Sequence, residues 1–263
     1  MAIEQCIPAS TNLSVAWAQA FLSVMQRGVS ELSPLVVTVD NIHDGIVAEN
    51  PAIRDAVDFH LRKLRLQSCH TVANTIFPES MWNSATSNDA ESLFKRFERA
   101  WPRLSRCRAN RRGSYFRRLT AFQPQGVETS FNQLEHIIET FKRGNHRRSA
   151  LQGVIFDPTR DHNHSRRQLF PCLHQVAFAH TKSNGLIVTG FYAKQYLVER
   201  AYGNYLGLCR LGRFMAKQMG LTFDRMVCIA SIAELGEPNK IDMQPLAGQL
   251  TKILNKLNEV SNG

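Results

Sequence analysis

No apolar run in this chain approaches the roughly 18 to 20 residues that span a bilayer. The opening stretch, MAIEQCIPASTNLS, has neither the basic start nor the apolar segment of a secretory signal. The expectation is a soluble, cytoplasmic protein with no membrane partner. Metal-binding and disulfide patterns are equally scarce. The six cysteines stand singly, at Cys6, Cys69, Cys107, Cys172, Cys209 and Cys228. None forms a CxxC and no histidine pair has zinc-ligand spacing, which argues against a structural metal or a secreted disulfide framework. With 15 Gly and 10 Pro in 263 residues, a fibrous or low-complexity chain is also excluded. Hydrophobic residues at 43% and charged residues at 21% are those of an ordinary globular protein able to bury a sizeable core.

Acidic residues are in deficit: 22, against 32 Lys and Arg, for a net charge of +10. The excess is concentrated in 94–118 (FKRFERAWPRLSRCRANRRGSYFRR), 142–148 (KRGNHRR) and 160–167 (RDHNHSRR). Arginine dominates these clusters, and its planar fork matches phosphate oxygens. A phosphorylated ligand or nucleic acid is one reading, and a solvated basic surface is the other.

Apolar periodicity predicts helices over 12–27, 51–65, 88–99, 131–143, 196–219 and 241–257. Strands are predicted at 35–39, 149–156 and 226–232, with a hairpin formed by 172–180 and 185–192 around Ser183-Asn184-Gly185. With no internal repeat or long linker, the chain reads as a single α+β domain. A mostly antiparallel or mixed β-sheet core would carry packed helices.

One segment concentrates the chemistry. The helix at 131–143 leads to Asn145-His146-Arg147-Arg148, then to a strand ending in Phe156-Asp157-Pro158, then to Phe170-Pro171-Cys172 and the hairpin. A long helix bearing Gly203-Asn204 follows. In this order the chain resembles the thymidylate synthase family, including its pyrimidine nucleotide hydroxymethylases. There an Arg-Arg pair, a strand ending in Trp-Asn-Pro, a Pro-Cys nucleophile and an Asn-bearing helix succeed one another. Upstream, Glu79 and Trp82 match the family's Glu-x-x-Trp, and Tyr115 takes the place of its Tyr-Gly element. The resemblance covers residues 70–257.

The resemblance implies a thymidylate-synthase-like fold and transfer of a one-carbon unit to C5 of a pyrimidine nucleotide, by methylation or hydroxymethylation. A thiolate suits the opening step because it is soft and adds reversibly, and nearby cations would lower its pKa. Cys172 would attack C6, with Glu79 as proton relay. Arg147 and Arg148 would hold phosphate across a homodimer interface, and Arg166-Arg167 compete for that role. Asn204 would pair with the base edge, favouring uracil, since an amide offers both a donor and an acceptor. Trp82 would lie beside the one-carbon donor, methylenetetrahydrofolate.

The departures from the family pattern are specific. Its phosphate-binding Arg after the second hairpin strand is absent, and only Lys194 is close; the Asp that follows falls near Tyr196. The sugar-reading His-x-Tyr is replaced by SIAELGEPN, and Pro-Cys-His becomes Pro171-Cys172-Leu173, with His174 one place later. Losing buried partners for a sugar hydroxyl costs about 1–3 kcal/mol each, so a substrate other than dUMP is expected. The competing expectation is a catalytically degenerate scaffold that binds nucleotide or nucleic acid. A sequence-nonspecific RNA-binding domain is less favoured, because interleaved aromatics are missing.

Overall fold

The β-branched stretches at 35–39, 185–192 and 226–232 all enter one sheet. The computed structural model describes residues 1–82, 89–107, 110, 113–162, 164 and 170–261. Six strands, β1 (Ala2–Cys6), β2 (Glu31–Val39), β3 (Gln152–Val154), β4 (Leu173–His180), β5 (Gly185–Tyr196) and β6 (Thr222–Glu234), lie in the order β1-β2-β6-β5-β4-β3. The sheet is mixed. β1 runs parallel to β2 and β5 parallel to β6, while the β2–β6, β3–β4 and β4–β5 pairs are antiparallel. This is the expected α+β class, with the predicted hairpin as β4 and β5.

Helices pack on one face. α1 (Leu13–Met25) lies on β2, α8 (Tyr202–Met219) on β5 and β6, and α5 (Tyr115–Thr120) with α6 (Gln133–Arg143) on β3. α2 (Pro51–Lys63) and α9 (Lys240–Ser261) form an outer layer against α1. Trp17, fully buried, stacks on Phe21 and donates its indole N–H to the Leu197 carbonyl at 2.9 Å, tying α1 to the end of β5. No helix among the described residues is long and apolar enough to cross a membrane.

α3 (Cys69–Ile76) runs along α8 at a separation that only glycine permits. A Cβ on Gly203 would meet the Val72 Cβ at 2.5 Å and the Cys69 carbonyl at 2.7 Å. A Cβ on Gly207 would meet the Ala73 carbonyl at 2.9 Å.

Several predicted elements shift. The strand at 149–156 contracts to β3, because 148–150 form a 3-10 turn. The helix at 88–99 becomes α4 (Ala90–Leu104), capped by Asp89, with Pro102 in its last turn; residue 88 lies outside the described residues. The helix predicted over 196–219 divides into a π-helical turn, Leu197–Ala201, and α8.

The other sheet face is not covered by these helices. Val36, Ile229, Phe191, Gln175 and Val154 form one cross-strand row, and Thr38, Val227, Thr189, Ala177 and Gln152 form the next. All of them are half-buried or exposed.

A buried ion pair joins α5 to the segment leading into β4. The Arg118 guanidinium forks onto Asp161, in α7 (Pro158–Asp161), at 2.8 and 2.9 Å and also reaches the Ile155 carbonyl at 3.0 Å. The two side chains are 5% and 6% exposed. Asp161 also accepts from the Asp157 N–H. Breaking a buried pair strands a charge, whereas removing both partners does not. Asp161→Asn should therefore destabilise the fold by about 3–5 kcal/mol. The Arg118→Met/Asp161→Leu double variant should recover most of that loss, as read by urea denaturation.

Candidate functional site

Cys172 directly precedes β4, after a cis Phe170–Pro171 peptide. Its carbonyl accepts the Ala193 N–H at 3.1 Å, which holds the residue against β5, and its side chain is half-buried. The approach to it is built from α5. Ser114 caps that helix by accepting the Arg117 N–H, so that Tyr115 opens its first turn. The Tyr115 ring stacks on Phe170 at 5.2 Å, and the Arg118 guanidinium lies 5.2 Å from the same Phe170 ring. The Tyr115 phenol sits beside the backbone of Cys172 and Leu173. Burial, and the Cys172 thiol next to it, push that phenol well above the usual tyrosine range.

Two opposing effects act on the thiol. Burial pushes the Cys172 pKa up, and the positive charges of Arg200 and Lys194 pull it down, leaving it net above the ordinary thiol value. Among the described residues, the positive charges acting on the Cys172 thiol are those of Arg200 and Lys194. Arg200 was missed by the sequence reading: a lone arginine in the predicted helix at 196–219, it carries no motif. Its place comes from the π-helical turn, a feature often found at functional sites. Its guanidinium donates to the Gln67 Oε1 at 2.7 Å. The preceding Glu199, 7% exposed, accepts the Glu237 N–H, and burial pushes its carboxyl pKa up.

The other predicted site residues are distributed as follows. Lys194 pairs with Glu234 at 2.7 Å on the adjacent strand. Asn204 is 3% exposed, in the first turn of α8. Arg147 and Arg148 are exposed beyond the end of α6, and Arg148 donates to the His180 carbonyl at 2.9 Å. His174 stacks on Phe156 at 4.6 Å, and burial pushes its pKa down. Arg166 and Arg167 lie outside the described residues, as do Arg108, Arg111 and Arg112.

Glu79 sits elsewhere along α8. It pairs with Arg210 at 2.8 Å, with Arg213 at 3.9 Å, and lines a cavity of about 120 Å³ with Gly45, Glu49, Cys209 and both arginines. At a 1.5 Å rise per residue, Arg210 stands about 9 Å beyond Asn204 on the helix. Trp82 is 7% exposed and packs edge-on against Phe77 and Phe214, with the Arg213 guanidinium 5.7 Å from its ring.

Part of the basic cluster at 94–118 is engaged within the chain. Arg118 is in the buried pair, Arg117 pairs with Glu98 and lies 5.4 Å from the Trp101 ring, and Arg96 donates to the Met81 carbonyl at 3.1 Å. Among the described residues, no group of His, Cys, Asp and Glu is arranged to hold a metal ion. A scan against protein-family models and a search of curated proteins find no match to this chain.

Because burial outweighs the two cations, alkylation of Cys172 should rise with pH through an inflection above the ordinary thiol range. Arg200→Ala should move that inflection further up, and Arg200→Lys should restore it. Iodoacetamide labelling across pH, followed by peptide mass mapping in a Cys6→Ser/Cys107→Ser background, reads this directly.

Proposed function

We propose that this protein transfers a one-carbon unit to C5 of a pyrimidine nucleotide through a Cys172 adduct at C6, on a thymidylate-synthase-like fold. The observation that carries the reading is the half-buried Cys172 thiol, after Pro171 and at the head of β4, facing the Tyr115 phenol and two cations. The order of elements supports it as well: arginine pair, short strand, Pro-Cys, hairpin, long helix.

Thiolate addition to C6 sends the C5–C6 π electrons toward the C4 carbonyl and leaves C5 nucleophilic. C5 then takes a proton from solvent or attacks a one-carbon electrophile; the original C5 hydrogen leaves as a proton to solvent, and expulsion of the thiolate from C6 restores the C5–C6 double bond. Arg200 and Lys194 favour the thiolate against the larger opposing effect of burial. Asn204 remains the candidate reader of the base edge. Glu79, held by Arg210 and Arg213 at the adjoining cavity, is the proposed proton relay toward the pyrimidine carbonyl only if that cavity opens to the substrate.

Methylenetetrahydrofolate is the donor that the resemblance implies. Trp82, buried between Phe77 and Phe214, does not fit as a stacking surface for it, so no step here depends on folate.

The proposed assembly is a homodimer through the uncovered sheet face. Strands β2, β6, β5 and β4, of 9, 13, 12 and 8 residues, present a surface of about 670 Å², taking spacings of about 4.8 Å between strands and 3.3 Å along them. That is comparable with the roughly 800 Å² per partner of a stable interface. Exposed Arg147 and Arg148 would then be available to a partner's phosphate. Ile229→Arg should convert a wild-type dimer to monomer in sedimentation velocity.

A second reading, a nucleotide- or nucleic-acid-binding scaffold, is favoured by one observation: burial raises the Cys172 thiol and so depletes its nucleophilic form. Tritium release from C5-labelled UMP, dUMP, CMP and dCMP separates the two. Cys172-dependent release, present without methylenetetrahydrofolate and raised by it, is the expected result. No release from any of the four, with salt-sensitive nucleotide or nucleic-acid binding indifferent to Cys172→Ala, would favour the scaffold.

A further inference from the structure

The acidic and basic side chains of α4 lie on different flanks of the helix. Glu91 pairs with Lys95 and Glu98 with Arg117, and both carboxylates line the groove that α4 forms with Thr120, Asn132 and Glu135. Arg99, Arg103 and Arg106 do not line that groove. Their spacings of four and three residues place them together on one helix face. All three are exposed, and among the described residues none of their guanidinium groups has an ion pair or a hydrogen bond. Arg96, which donates to the Met81 carbonyl, extends the same row by one turn.

A solvated face ordinarily mixes its signs. On α2 Arg54 pairs with Asp58 four residues on, and on α6 Arg143 pairs with Glu139. The row on α4 is built otherwise. The helical neighbours of Arg99 at three and four positions are Lys95, Arg96, Pro102 and Arg103, without one carboxylate. Like charges at these spacings cost a helix about 0.2–0.5 kcal/mol each. The helix dipole favours Arg103 and Arg106 at the C-terminal end, but its effect does not reach back to Arg99. The opposite face is fixed: Leu93 and Phe97 are buried, and Phe97 meets Phe116 edge-on at 4.7 Å. The row is therefore carried on a rigid support.

We infer that Arg99, Arg103 and Arg106 form a docking surface for the phosphate backbone of a nucleic-acid duplex. Seven residues of helix separate the outer two by about 10.5 Å, and one strand of a duplex presents about three phosphates over that length. Guanidinium forks match phosphate oxygens better than ammonium groups do. A single strand would call for exposed rings on which bases stack, whereas Phe94 and Phe97 pack against Phe116 and Trp101 lies half-buried between Phe97 and Arg117. An anionic membrane would call for apolar side chains beside the cations, and α4 exposes no large hydrophobic residue. This inference stands whether or not Cys172 is a nucleophile.

The test measures fluorescence anisotropy of labelled DNA and RNA duplexes of about 20 base pairs, two turns of B-form helix, from about 50 to 200 mM salt. It compares wild type, Arg99→Gln/Arg103→Gln/Arg106→Gln, and a control of equal charge change, Lys182→Gln/Lys252→Gln/Lys256→Gln, at exposed positions away from α4. The arginine variant should flatten the slope of log affinity against log salt by about 2.7, at about 0.9 for each phosphate contact. Over that salt range wild type should then lose about 40-fold more affinity than the variant loses. The lysine control should keep the wild-type slope, and the arginine variant's Tm should be unchanged or higher because repulsion is relieved. A wild-type slope in the arginine variant, an equal flattening in the control, or a fall in the variant's Tm overturns the inference. So does a wild-type protein that fails to bind duplex at the lowest salt or binds single strands more tightly. Preference for phosphatidylserine vesicles, lost with the same three arginines, overturns it in favour of a membrane surface.

Discussion

The geometry around Cys172 depends on the buried pair between Arg118 and Asp161. α5 and the segment before β4 are far apart in sequence, and the Arg118 fork is what joins them. From that anchor Arg118 also lies against Phe170, and Phe170 stacks on Tyr115, so one guanidinium sets both the ring before Pro171 and the phenol beside Cys172. A buried ion pair is a weak source of net stability, because desolvation consumes most of its Coulomb gain. Its value here is geometric. A planar fork bound at both ends holds its partner's orientation in a way that an apolar contact, free to slide, does not.

On the thiol, two effects of different range compete. Desolvation is local and acts on any buried charge. The charges of Arg200 and Lys194 act over distance and are diluted by their own partners, Gln67 and Glu234. Desolvation wins in the free protein. A phosphate that drew on the same two cations would partly neutralise them and push the thiol further up, so a nucleophilic Cys172 requires the phosphate to be held elsewhere.

The sequence made legible what depends on local pattern. Amphipathic spacing located α1, α2, α6 and α9 to within a few residues, and Ser183-Asn184-Gly185 marked the β4–β5 turn correctly. β1 escaped because its exposure alternates only between exposed and half-buried, so its sequence carries no apolar face. α3 and α5 are too short for periodicity to register, and each is defined by its serine cap, Ser68 and Ser114. Arg118 read as one more cation in a basic cluster. Only the tertiary structure supplies Asp161 and converts it into a core residue. Arg200 was hidden by a π-helical turn that continuous helical spacing does not reveal.

The same limit applies to Glu79. Spacing along the chain matched it to a proton relay, but its position in space follows from how α3 lies on α8. Gly203 and Gly207 bring the two helices together with nothing larger than hydrogen between them, which sets α3 in a fixed register along α8. The short turn after α3 then delivers Glu79 to Arg210 rather than to Asn204. Moving the carboxylate to Asn204 would require sliding α3 by nearly two helical turns, and side chains at neither glycine position would allow the contact to re-form.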